Sequence, residues 1–466
     1  MNYDDYGNES IIPNEMMKEL IEHKKEKLNN PKNLSDNINS CGRSALRFTS
    51  QYMFCPNFFT CDTYDGCEHK CKYCFAYHQK LLNASSKNTG EKFFFNILTR
   101  NINNIPKFFN KESVLNEYEQ KIKHAINLNM PMHIGGSSDP CQPVELKYKQ
   151  TKKLLTILNE HKYPFILSTK NKIINDYIDL FHKKSILQVS LIGNTEKVEK
   201  IETGSSKTEE RIDTIRNFSK NHYTVVRLQP FIPGLLTDQE LDDFIRILKS
   251  TGVNSITSEI VKLYSFENRK LNIVSNEIST ILGYNIKSYF KTQRKPLSDE
   301  LKDLTKIKHM LKVKEICKKY NIDFYSADNS FRILGKGANC CGYEDEMLGS
   351  KHTQYMNRAP FIAKEKGEVK FQDIYNEPTM LLKFVNVGNF LNTGTNYKYF
   401  KNASFLDLIK RNWNDPKSPT NPSNFFTNLV DSGRKEDGMN IYYHDKNWLN
   451  KLLSQKNLMS FINQKR

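Results

Sequence analysis

Apolar, strand-like runs alternate with helical stretches through the middle of this chain. Such alternation predicts parallel strands that are joined by crossover helices. The number of runs fits an α/β fold, a partial or full (β/α) barrel, with chemistry at the carboxyl ends of the strands. The predicted strands are Met132–Gly135, Phe165–Thr169, Ile186–Leu191, Thr224–Phe231, Ser255–Val261 and Ile322–Ser326. The predicted helices are Leu146–His161, Glu209–Lys220, Asp238–Ser250 and Asp303–Lys319.

The chain of 466 residues is long enough for such a barrel with additions at both ends. We expect residues 1–58, which are rich in charge, to form an N-terminal extension. Residues 59–345 carry the alternating pattern and are expected to form the barrel. From residue 346 to residue 466 the alternation fades into segments rich in Asn, Pro and Lys, which we interpret as a small appended region of unknown role.

Three cysteines, Cys67, Cys71 and Cys74, follow the first expected strand, near Phe59–Thr63, with the spacing C-x3-C-x2-C. Thiolates are the ligands that iron–sulfur clusters use. A [4Fe–4S] cube held by three cysteines keeps one iron open to a further ligand, which suits a reaction centre. A structural zinc site is the alternative, although no second C-x2-C or H-x3-H half follows at the usual distance. Its fourth ligand would be Cys61, His69 or His78.

The cysteine spacing resembles the signature of the radical S-adenosylmethionine (SAM) superfamily. The resemblance implies that the three cysteines hold a [4Fe–4S] cluster whose open iron chelates S-adenosyl-L-methionine. In that family the reduced cluster breaks the C5′–S bond of SAM, and the resulting 5′-deoxyadenosyl radical takes a hydrogen atom from the substrate. The resemblance also implies a barrel fold and an external electron donor such as flavodoxin or ferredoxin.

Within the superfamily, the chain resembles the spore-photoproduct-lyase-like group along residues 60–240. The run from 65 to 77 is close to that group's G-C-x-H-x-C-x-Y-C-Y-A, and the run from 135 to 145 is close to its G-T-x-T-D-P-Y-Q-P-x-E. The T-K-S, E…R and P-x-x-P-G motifs also have counterparts, in the same order. These counterparts are Ser168–Asn171, Glu202 with Arg211, and Pro230–Gly234. An ordered set of motifs is more specific than any single short motif.

The resemblance implies that residues of these motifs contact SAM. Two glycines at a strand end let the backbone approach a ligand closely. Each assignment has a structural alternative, because Ser-Ser-Asp-Pro is also typical of a helix start and the Glu202–Arg211 pair is also typical of a salt bridge that fixes a loop. A lysine or a serine is as often a solvated or a core residue as a ligand contact. The implied contacts are Tyr73, Gly135, Gly136, Ser137, Ser138, Asp139, Lys170, Ser190, Glu202 and Arg211.

A thiol near the barrel mouth is a candidate catalytic hydrogen-atom donor. Cys141 lies just after the glycine turn, and Cys340 and Cys341 follow the last strand, from which we expect them to fold back over the mouth. Photoproduct lyases carry their donor cysteine directly before the S/T-S-D turn, where this chain has glycine, near Gly136, which sets it apart from thymine-dimer repair. A second iron–sulfur cluster is the alternative use of the remaining thiols. It would draw on Cys55, Cys61, Cys317, Cys340 and Cys341.

The formal net charge of +17, from 69 basic and 52 acidic residues, favours a nucleic-acid partner. Lysine carries most of that charge, however, and bidentate phosphate contacts favour arginine. The acidic N-terminus lacks a signal-peptide stretch, no apolar run reaches membrane-spanning length, and cysteines are few for the length, so we expect a cytoplasmic protein without a membrane partner.

Two classes of function follow from these observations. The first is a radical SAM enzyme, lyase-like or oxidoreductase-like, that acts on a nucleic acid such as damaged DNA, or on a peptide or small molecule. The second is an iron–sulfur redox sensor or electron-transfer protein without SAM chemistry. The cysteine triad, Gly135, Gly136 and Lys170 favour the enzyme.

Overall fold

One eight-stranded sheet lies at the centre of the computed structural model, which describes residues 2–3, 9–10, 40–49, 54–78, 94–262, 269–289, 303–377, 405–418 and 420–454. Its strands are β1 (Leu46–Phe48), β2 (Phe59–Cys61), β3 (Met132–Ile134), β4 (Phe165–Thr169), β5 (Ser185–Ser190), β6 (Tyr223–Phe231), β7 (Ser255–Ile260) and β8 (Asp323–Ser326). Each strand lies beside its neighbour in sequence, from β1 at one edge to β8 at the other.

The sheet is an open, partial barrel. Strands β2 to β8 are parallel, and β1 runs antiparallel to β2. Within the described residues no ladder joins β1 to β8, so the barrel does not close. The predicted α/β class and the parallel strand order are confirmed, and each predicted strand matches its observed bounds to within one residue at either end.

Helices connect the parallel strands and cover the outer face of the sheet. Strands β4 and β5 are buried at every position, as expected when both faces of a parallel sheet are covered. The helices of the described chain are Glu117–Asn127, Glu145–Tyr148, Gln150–Glu160, Glu196–Ile201, Thr208–Phe218, Asp238–Ser250, Arg269–Leu282, Asp303–Lys319, Ala359–Lys366, Phe405–Asn414, Pro422–Phe425 and Trp448–Ser454. The 3₁₀ segments are Pro106–Phe108, Lys172–Leu180, Ile286–Tyr289, Arg332–Leu334, Asp345–Leu348, Met356–Arg358 and Phe371–Asp373.

The helix predicted over Leu146–His161 is two helices, because the chain turns at Lys149, which has a φ of +51°. The buried Glu145 carboxylate accepts hydrogen bonds from the amides of Thr151 and Lys152, at 3.0 and 2.9 Å, and so caps the second helix. The hydroxyl of Tyr177 also donates a hydrogen bond to the Glu145 carboxylate, at 2.9 Å. The spacing of the apolar residues did not reveal this break, because the apolar pattern continues across Lys149.

Smaller sheets flank the barrel. Strands Glu368–Val369, Leu429–Glu436 and Met439–His444 form an antiparallel sheet, and the indole of Trp413, which is 1% exposed, donates to the Asn440 carbonyl at 2.7 Å. The remaining short strands pair separately from the barrel sheet. They are Asn2–Tyr3 with Glu9–Ser10, and Ser40–Ser44 with Leu98–Asn101 and Tyr64–Asp65. Most of residues 1–58, the expected N-terminal extension, lie outside the described residues.

None of the helices in the described ranges combines the length and the apolar character that crossing a membrane requires.

The helix Asp238–Ser250 shows how local sequence fixes an element of the barrel. Thr237 accepts a hydrogen bond from the Glu240 amide at 3.2 Å, and the Glu240 carboxylate accepts from the Thr237 amide at 2.7 Å. This reciprocal capping box starts the helix, and its apolar positions then recur on the face that packs against the sheet. The buried side chains of that face are Leu241, Phe244, Ile245 and Leu248.

Replacing Thr237 by alanine removes the side-chain acceptor at the start of this helix. We expect the free energy of unfolding to fall by about 1 kcal/mol, as for other N-cap substitutions, and Thr237→Ser to keep most of it. Urea denaturation of both variants measures the effect. An equal loss in the serine variant would show that the capping hydrogen bond is not what stabilises the helix end.

Candidate active site

A cavity of about 330 Å³ opens at the carboxyl ends of the parallel strands and extends down the concave face of the sheet. The carboxyl ends of parallel strands meet at one edge, so side chains from distant parts of the sequence converge there. The predicted residues that line this cavity are Cys67, Cys71, Cys74, Tyr73, Gly135, Gly136, Ser137, Ser138, Asp139, Lys170, Ser190, Cys340 and Cys341. Cys141, Glu202 and Arg211 do not line it.

The loop with Cys67, Cys71 and Cys74, which we call the cysteine loop (residues 66–74), follows β2 and the short strand Tyr64–Asp65. Gly66 begins it with a φ of +87°, where a Cβ would lie 2.3 Å from the Phe94 carbonyl oxygen. The loop is fixed to the segment after β5, because the Lys72 amide donates to the Ile201 carbonyl at 3.0 Å. The cysteine positions are therefore set by the barrel and not by the loop alone.

Gly204 brings that neighbouring segment against the cysteine loop. Its amide donates to the His69 carbonyl at 2.9 Å. A Cβ at this position would lie 2.5 Å from the Glu68 carbonyl oxygen and 2.6 Å from the His69 Cα. Such distances are far below van der Waals contact, so only glycine allows the two backbones to approach this closely.

Burial dominates the electrostatics of the three thiols. It raises the pKa of Cys67 to about 12 and holds the pKa values of Cys71 and Cys74 above their usual range. The positive charge of Lys170 acts in the opposite direction on Cys71 and Cys74. Metal ligation needs thiolates, so a metal group that binds here must displace protons from all three cysteines.

The donor set fits an iron–sulfur cluster better than a single zinc ion. The three thiols face one cavity, and Cys67 and Cys74 are near enough to raise the pKa of Cys71. Across the described ranges, however, no three His, Cys, Asp or Glu side chains are grouped as ligands of one metal ion. A cluster binds each thiolate at a different iron, whereas zinc needs four donors around one point. His78 is directed elsewhere, with its Nε2 3.2 Å from the Lys72 carbonyl oxygen.

The glycine turn, residues 135–139, follows β3 and forms the wall beside the cysteine loop. Gly135 has a φ of +91°, and a Cβ there would lie 2.5 Å from the Ser168 carbonyl oxygen. The Ser137 amide and hydroxyl donate to the Asp62 carboxylate at 2.9 and 2.8 Å, and the Ser138 hydroxyl donates to the Tyr64 carbonyl at 2.8 Å. The two serine side chains thus hold the turn, and the backbone of the turn faces the cavity.

Asp139 connects the turn to the next strand. Its carboxylate accepts hydrogen bonds from the Thr169 hydroxyl and the Lys170 amide, both at 2.7 Å, and from the Cys141 amide at 2.9 Å. His69 Nδ1 of the cysteine loop lies 3.4 Å from the same carboxylate. Burial lowers the pKa of His69 and outweighs the attraction of Asp139, so this histidine is neutral near pH 7. The Asp139–Cys141 bond is a local turn bond of the kind that the helix-start interpretation predicts, but the next helix begins only at Glu145.

The Glu202–Arg211 pair lies beneath the cavity as a buried salt bridge, with Nη1 to Oε2 at 2.7 Å and both side chains no more than 1% exposed. Arg211 also donates to the Ser190 carbonyl at 2.8 Å, and the Tyr73 hydroxyl donates to Glu202. The Lys170 ammonium lies 5.7 Å above the Tyr73 ring, within the range of a cation–π contact. The observed contacts match the salt-bridge alternative for this pair. The pair supports Tyr73 and Ser190, which do face the cavity.

The candidate donor cysteines are placed differently from one another. Cys141 is fully buried behind the glycine turn. Cys340 and Cys341 face the cavity from the concave face of the sheet. The expectation that they fold back over the mouth is wrong. The hydroxyl of Thr257 on β7 donates to the Cys340 carbonyl at 2.8 Å, and the amide of Gln188 on β5 donates to the Cys341 carbonyl at 2.6 Å. These inward side chains hold the segment inside the open barrel.

Several lining residues were not predicted from the sequence. Arg227, on β6, donates to the Gln229 side chain at 2.6 and 2.9 Å and to the Ser168 hydroxyl at 3.1 Å. Arg227 could have been recognised from the sequence, because it is a charged residue at an inward position of a mostly apolar strand. Cys55 was predicted only as one of five thiols for a second cluster, since its neighbours in the cavity come from the other end of the barrel. The unpredicted lining residues include Asn57, Gln188, Arg227 and Arg332.

Comparison with known proteins gives a few distant likenesses. No protein-family model matches the chain. The uncharacterized protein MJ0683 of Methanocaldococcus jannaschii is 26% identical over 186 residues, which are 38% of this chain and 62% of that protein. The chain thus spans less than two thirds of the length of this relative.

Several solved structures are similar in fold, among them the following two. A cysteine-to-alanine mutant of spore photoproduct lyase with dinucleoside spore photoproduct has a TM-score of 0.45 and 13% identity, over 66% of this chain and 93% of that chain. The radical S-adenosylmethionine methyltransferase TsrM from Kitasatospora setae, with tryptophan and a SAM analog bound, has a TM-score of 0.36 and 9% identity, over 55% of this chain and 51% of that chain. The first belongs to the group that the motifs resemble, and the second is a radical SAM enzyme.

Gly204→Ala tests the close approach behind the cysteine loop. The added methyl group must displace the loop backbone, and we expect the free energy of unfolding to fall by about 1 to 3 kcal/mol. We also expect less iron per chain after reconstitution. Gly367→Ala is the control for strain away from the cavity: its φ of +87° disfavours alanine, but no atom lies within 4 Å of the added Cβ, so it should keep the iron content of wild type. An unchanged iron content in Gly204→Ala would contradict this role.

Glu202→Gln tests the buried pair. Removing one charge leaves Arg211 buried without its counter-charge, which we expect to cost about 3 to 5 kcal/mol, and Glu202→Gln with Arg211→Met should recover part of this loss. Urea denaturation of the single and double variants gives the values. A double variant less stable than the single variant would show that Arg211 is held by other contacts.

The same pair has a defined pH dependence. Burial raises the pKa of Glu202, but Arg211 and Lys170 outweigh it, so the pKa lies below the ordinary value of 4.5. A depressed carboxyl pKa stabilises the fold above about pH 4.5, and that contribution is lost as the pH falls through the lower, folded value. Glu202→Gln should therefore lose less stability than wild type between pH 5 and pH 3. Parallel curves for the two proteins would contradict this assignment.

Proposed function

We propose that this chain is a radical SAM enzyme whose reaction takes place in the cavity at the carboxyl ends of the barrel strands. One observation carries the proposal: three cysteines of a single loop share this cavity with the glycine turn, Lys170 and Ser190. The cysteine spacing and the order of the motifs support the same class. The residues of the site support this class independently of the distant structural likenesses.

Cys67, Cys71 and Cys74 would hold the [4Fe–4S] cluster. When bound, such a cluster supplies the electron that cleaves SAM to methionine and a 5′-deoxyadenosyl radical, which takes a hydrogen atom from the substrate. The chain contributes three thiolates once their protons are displaced, and the burial of Cys67 and Cys71 shields two of them from water, whereas Cys74 is half-buried. A flavodoxin or ferredoxin is the electron donor we propose.

The chain's own groups would bind SAM in complementary ways. The backbone of Gly135 and Gly136 lines the cavity without a side chain in the way. The Lys170 ammonium would pair with the methionyl carboxylate, and the Ser190 hydroxyl would bind the ribose. Tyr73, held by Glu202 from below, would offer an apolar ring that excludes water.

Other residues of the predicted set would act indirectly. Ser137, Ser138 and Asp139 have their side chains engaged by the protein, so they would shape the turn, while Glu202 and Arg211 would support Tyr73 and Ser190 from beneath. We propose a substrate that enters this cavity, either a nucleic acid such as damaged DNA or a peptide or small molecule. The net charge of +17 favours the nucleic acid.

Release of 5′-deoxyadenosine tests the proposed function. We expect the anaerobically reconstituted wild type, given SAM and a strong reductant, to release it, and Cys71→Ala to release at least about 100-fold less because a cluster ligand is lost. Cys317→Ala is the matched control. Cys317 is fully buried in the helix Asp303–Lys319, away from the cavity, so its variant should behave as wild type.

A wild type that carries four irons per chain and saturably binds no SAM would contradict the proposal. That result would assign the cluster to redox sensing or electron transfer. Equal release from wild type and Cys71→Ala would show that the cysteine loop is not the reaction centre.

A further inference from the structure

A second group of thiols lies deeper in the same cavity. Cys55 precedes β2, and Cys340 and Cys341 follow β8, so 285 residues separate the two segments along the chain, counted from Cys55 to Cys340. All three line the cavity that also contains the cysteine loop. Neither segment belongs to the cysteine loop, the glycine turn or the motifs that the proposed SAM site uses.

The three cysteine side chains form a row with Cys340 in the middle, because those of Cys55 and Cys341 each interact with the Cys340 side chain. The Asn57 amide donates to the Cys55 sulfur at 3.3 Å, and its side-chain amide donates to the Cys341 sulfur at 3.2 Å. The Tyr343 hydroxyl in turn donates to the Asn57 side-chain oxygen at 2.7 Å. The row is therefore built by dedicated partners from both segments.

The surroundings of Cys340 favour a thiolate. Hydrogen bonds from the thiols of Cys341 and Cys55, and the charges of Arg332 and Arg227, outweigh burial and hold the pKa of Cys340 well below its usual range. The pKa values of Cys55 and Cys341 are raised, first by the hydrogen bond to Cys340 and then by burial. His133 on β3 also faces this group, and burial lowers its pKa to about 4, so it is neutral. The result is a thiolate in contact with two thiols.

Cys55 is the more accessible of the two partners. It is half-buried, like Cys340, whereas Cys341 is only 4% exposed. A thiol gives up a hydrogen atom readily, and a thiolate beside it can bond to the sulfur radical that remains. The cysteine loop lies at the top of the cavity, at the strand ends, and this row lies on the inner face of the sheet. A substrate in the cavity would then lie between the two groups.

We propose that Cys55 and Cys340 are a redox-active pair in which Cys55 gives a hydrogen atom to a substrate radical and Cys340 captures the resulting sulfur radical as a disulfide. The hydrogen-donor step rests on the proposed function. The capacity of the pair to form a disulfide does not.

The Cys55 S–H bond breaks, and the hydrogen atom bonds to the substrate radical, which becomes product. The Cys55 sulfur radical and the Cys340 thiolate form an S–S bond that carries one extra electron. That electron passes to the oxidised form of a one-electron carrier protein, such as a ferredoxin or flavodoxin, which leaves a neutral disulfide. A dithiol reductant then returns both cysteines to their starting states by thiol–disulfide exchange.

Thiol chemistry of the full-length chain tests the pair without SAM or substrate. We expect iodoacetamide at pH 7 to modify Cys340 at least about tenfold faster than Cys61 or Cys317, because the thiolate is the nucleophile. We expect limiting oxidised glutathione to link Cys55 to Cys340, as seen by peptide mapping. Cys317→Ala should give the same link as wild type. The wild-type measurements stand even if Cys340→Ser folds poorly.

Two results would overturn the redox-active pair. One is a Cys340 that reacts no faster than the buried control cysteines and forms no link to Cys55. The other is iron beyond four atoms per chain that is lost in Cys340→Ser, which would make the three thiols ligands of a second cluster. The side-chain interaction of Cys55 and Cys341 with Cys340 favours the redox pair, because the thiolates of a cluster would each bind a separate iron.

Deuterium transfer tests the hydrogen-donor step. In D₂O without substrate, we expect wild type to place deuterium from the exchanged Cys55 thiol in 5′-deoxyadenosine, and Cys55→Ser to lose most of it while Cys317→Ala retains it. Normal release of 5′-deoxyadenosine with equal deuterium in wild type and Cys55→Ser would refute the donor step and leave the proposed function intact. A Cys55–Cys340 disulfide in a protein that never cleaves SAM would refute the proposed function and the donor step together, and leave the redox pair.

Discussion

The Asp139 carboxylate is the contact on which the geometry of the cavity most depends. It accepts hydrogen bonds from Thr169 and Lys170 at the end of β4 and from Cys141 beyond the glycine turn, and His69 of the cysteine loop lies beside it. A carboxylate buried to this extent is costly unless hydrogen bonds compensate it. Because its partners come from three separate segments, satisfying one buried charge also fixes the relative positions of those segments.

The parallel sheet explains why such a contact forms at this edge. Each crossover helix returns the chain so that the next strand ends beside the previous one, and the loops after β2, β3, β4 and β5 therefore meet. Gly135 and Gly204 then allow approaches that no other residue would permit. The backbone of the cysteine loop is held by hydrogen bonds to these neighbouring segments, such as those from Lys72 to Ile201 and from Gly204 to His69.

Much of the barrel could be predicted from the sequence, and the reason is local. Three elements have the predicted bounds: the strand Phe165–Thr169 and the helices Asp238–Ser250 and Asp303–Lys319. Their bounds depend on the pattern of apolar and capping residues within a short stretch of sequence. The antiparallel sheet with Leu429–Glu436 was not predicted, because that strand is mostly exposed and carries no apolar run. The break at Lys149 depends on the distant partners of a buried carboxylate, which no local pattern records.

The same division applies to the site. The cysteine loop and the glycine turn were found because their residues are close in sequence. From the sequence, Cys55 was only one of several cysteines that could serve a second cluster. Its contact with Cys340 depends on the fold, which brings the segment before β2 and the segment after β8 together across the open barrel. Arg227, which affects Cys340, comes from a third part of the chain. Long-range contacts of this kind need the fold first.

The two thiol groups of the cavity are prepared for different chemistry by the same barrel. Burial keeps Cys67, Cys71 and Cys74 protonated, so they gain most from a ligand that exchanges their protons for metal bonds. Cys340 instead has its charge stabilised by neighbouring thiols and arginines, and needs no metal to remain a thiolate. A group that is stable as a thiolate is suited to reactions of the thiolate itself. The difference in surroundings, more than the shared residue type, separates a metal-binding loop from a redox pair within one cavity.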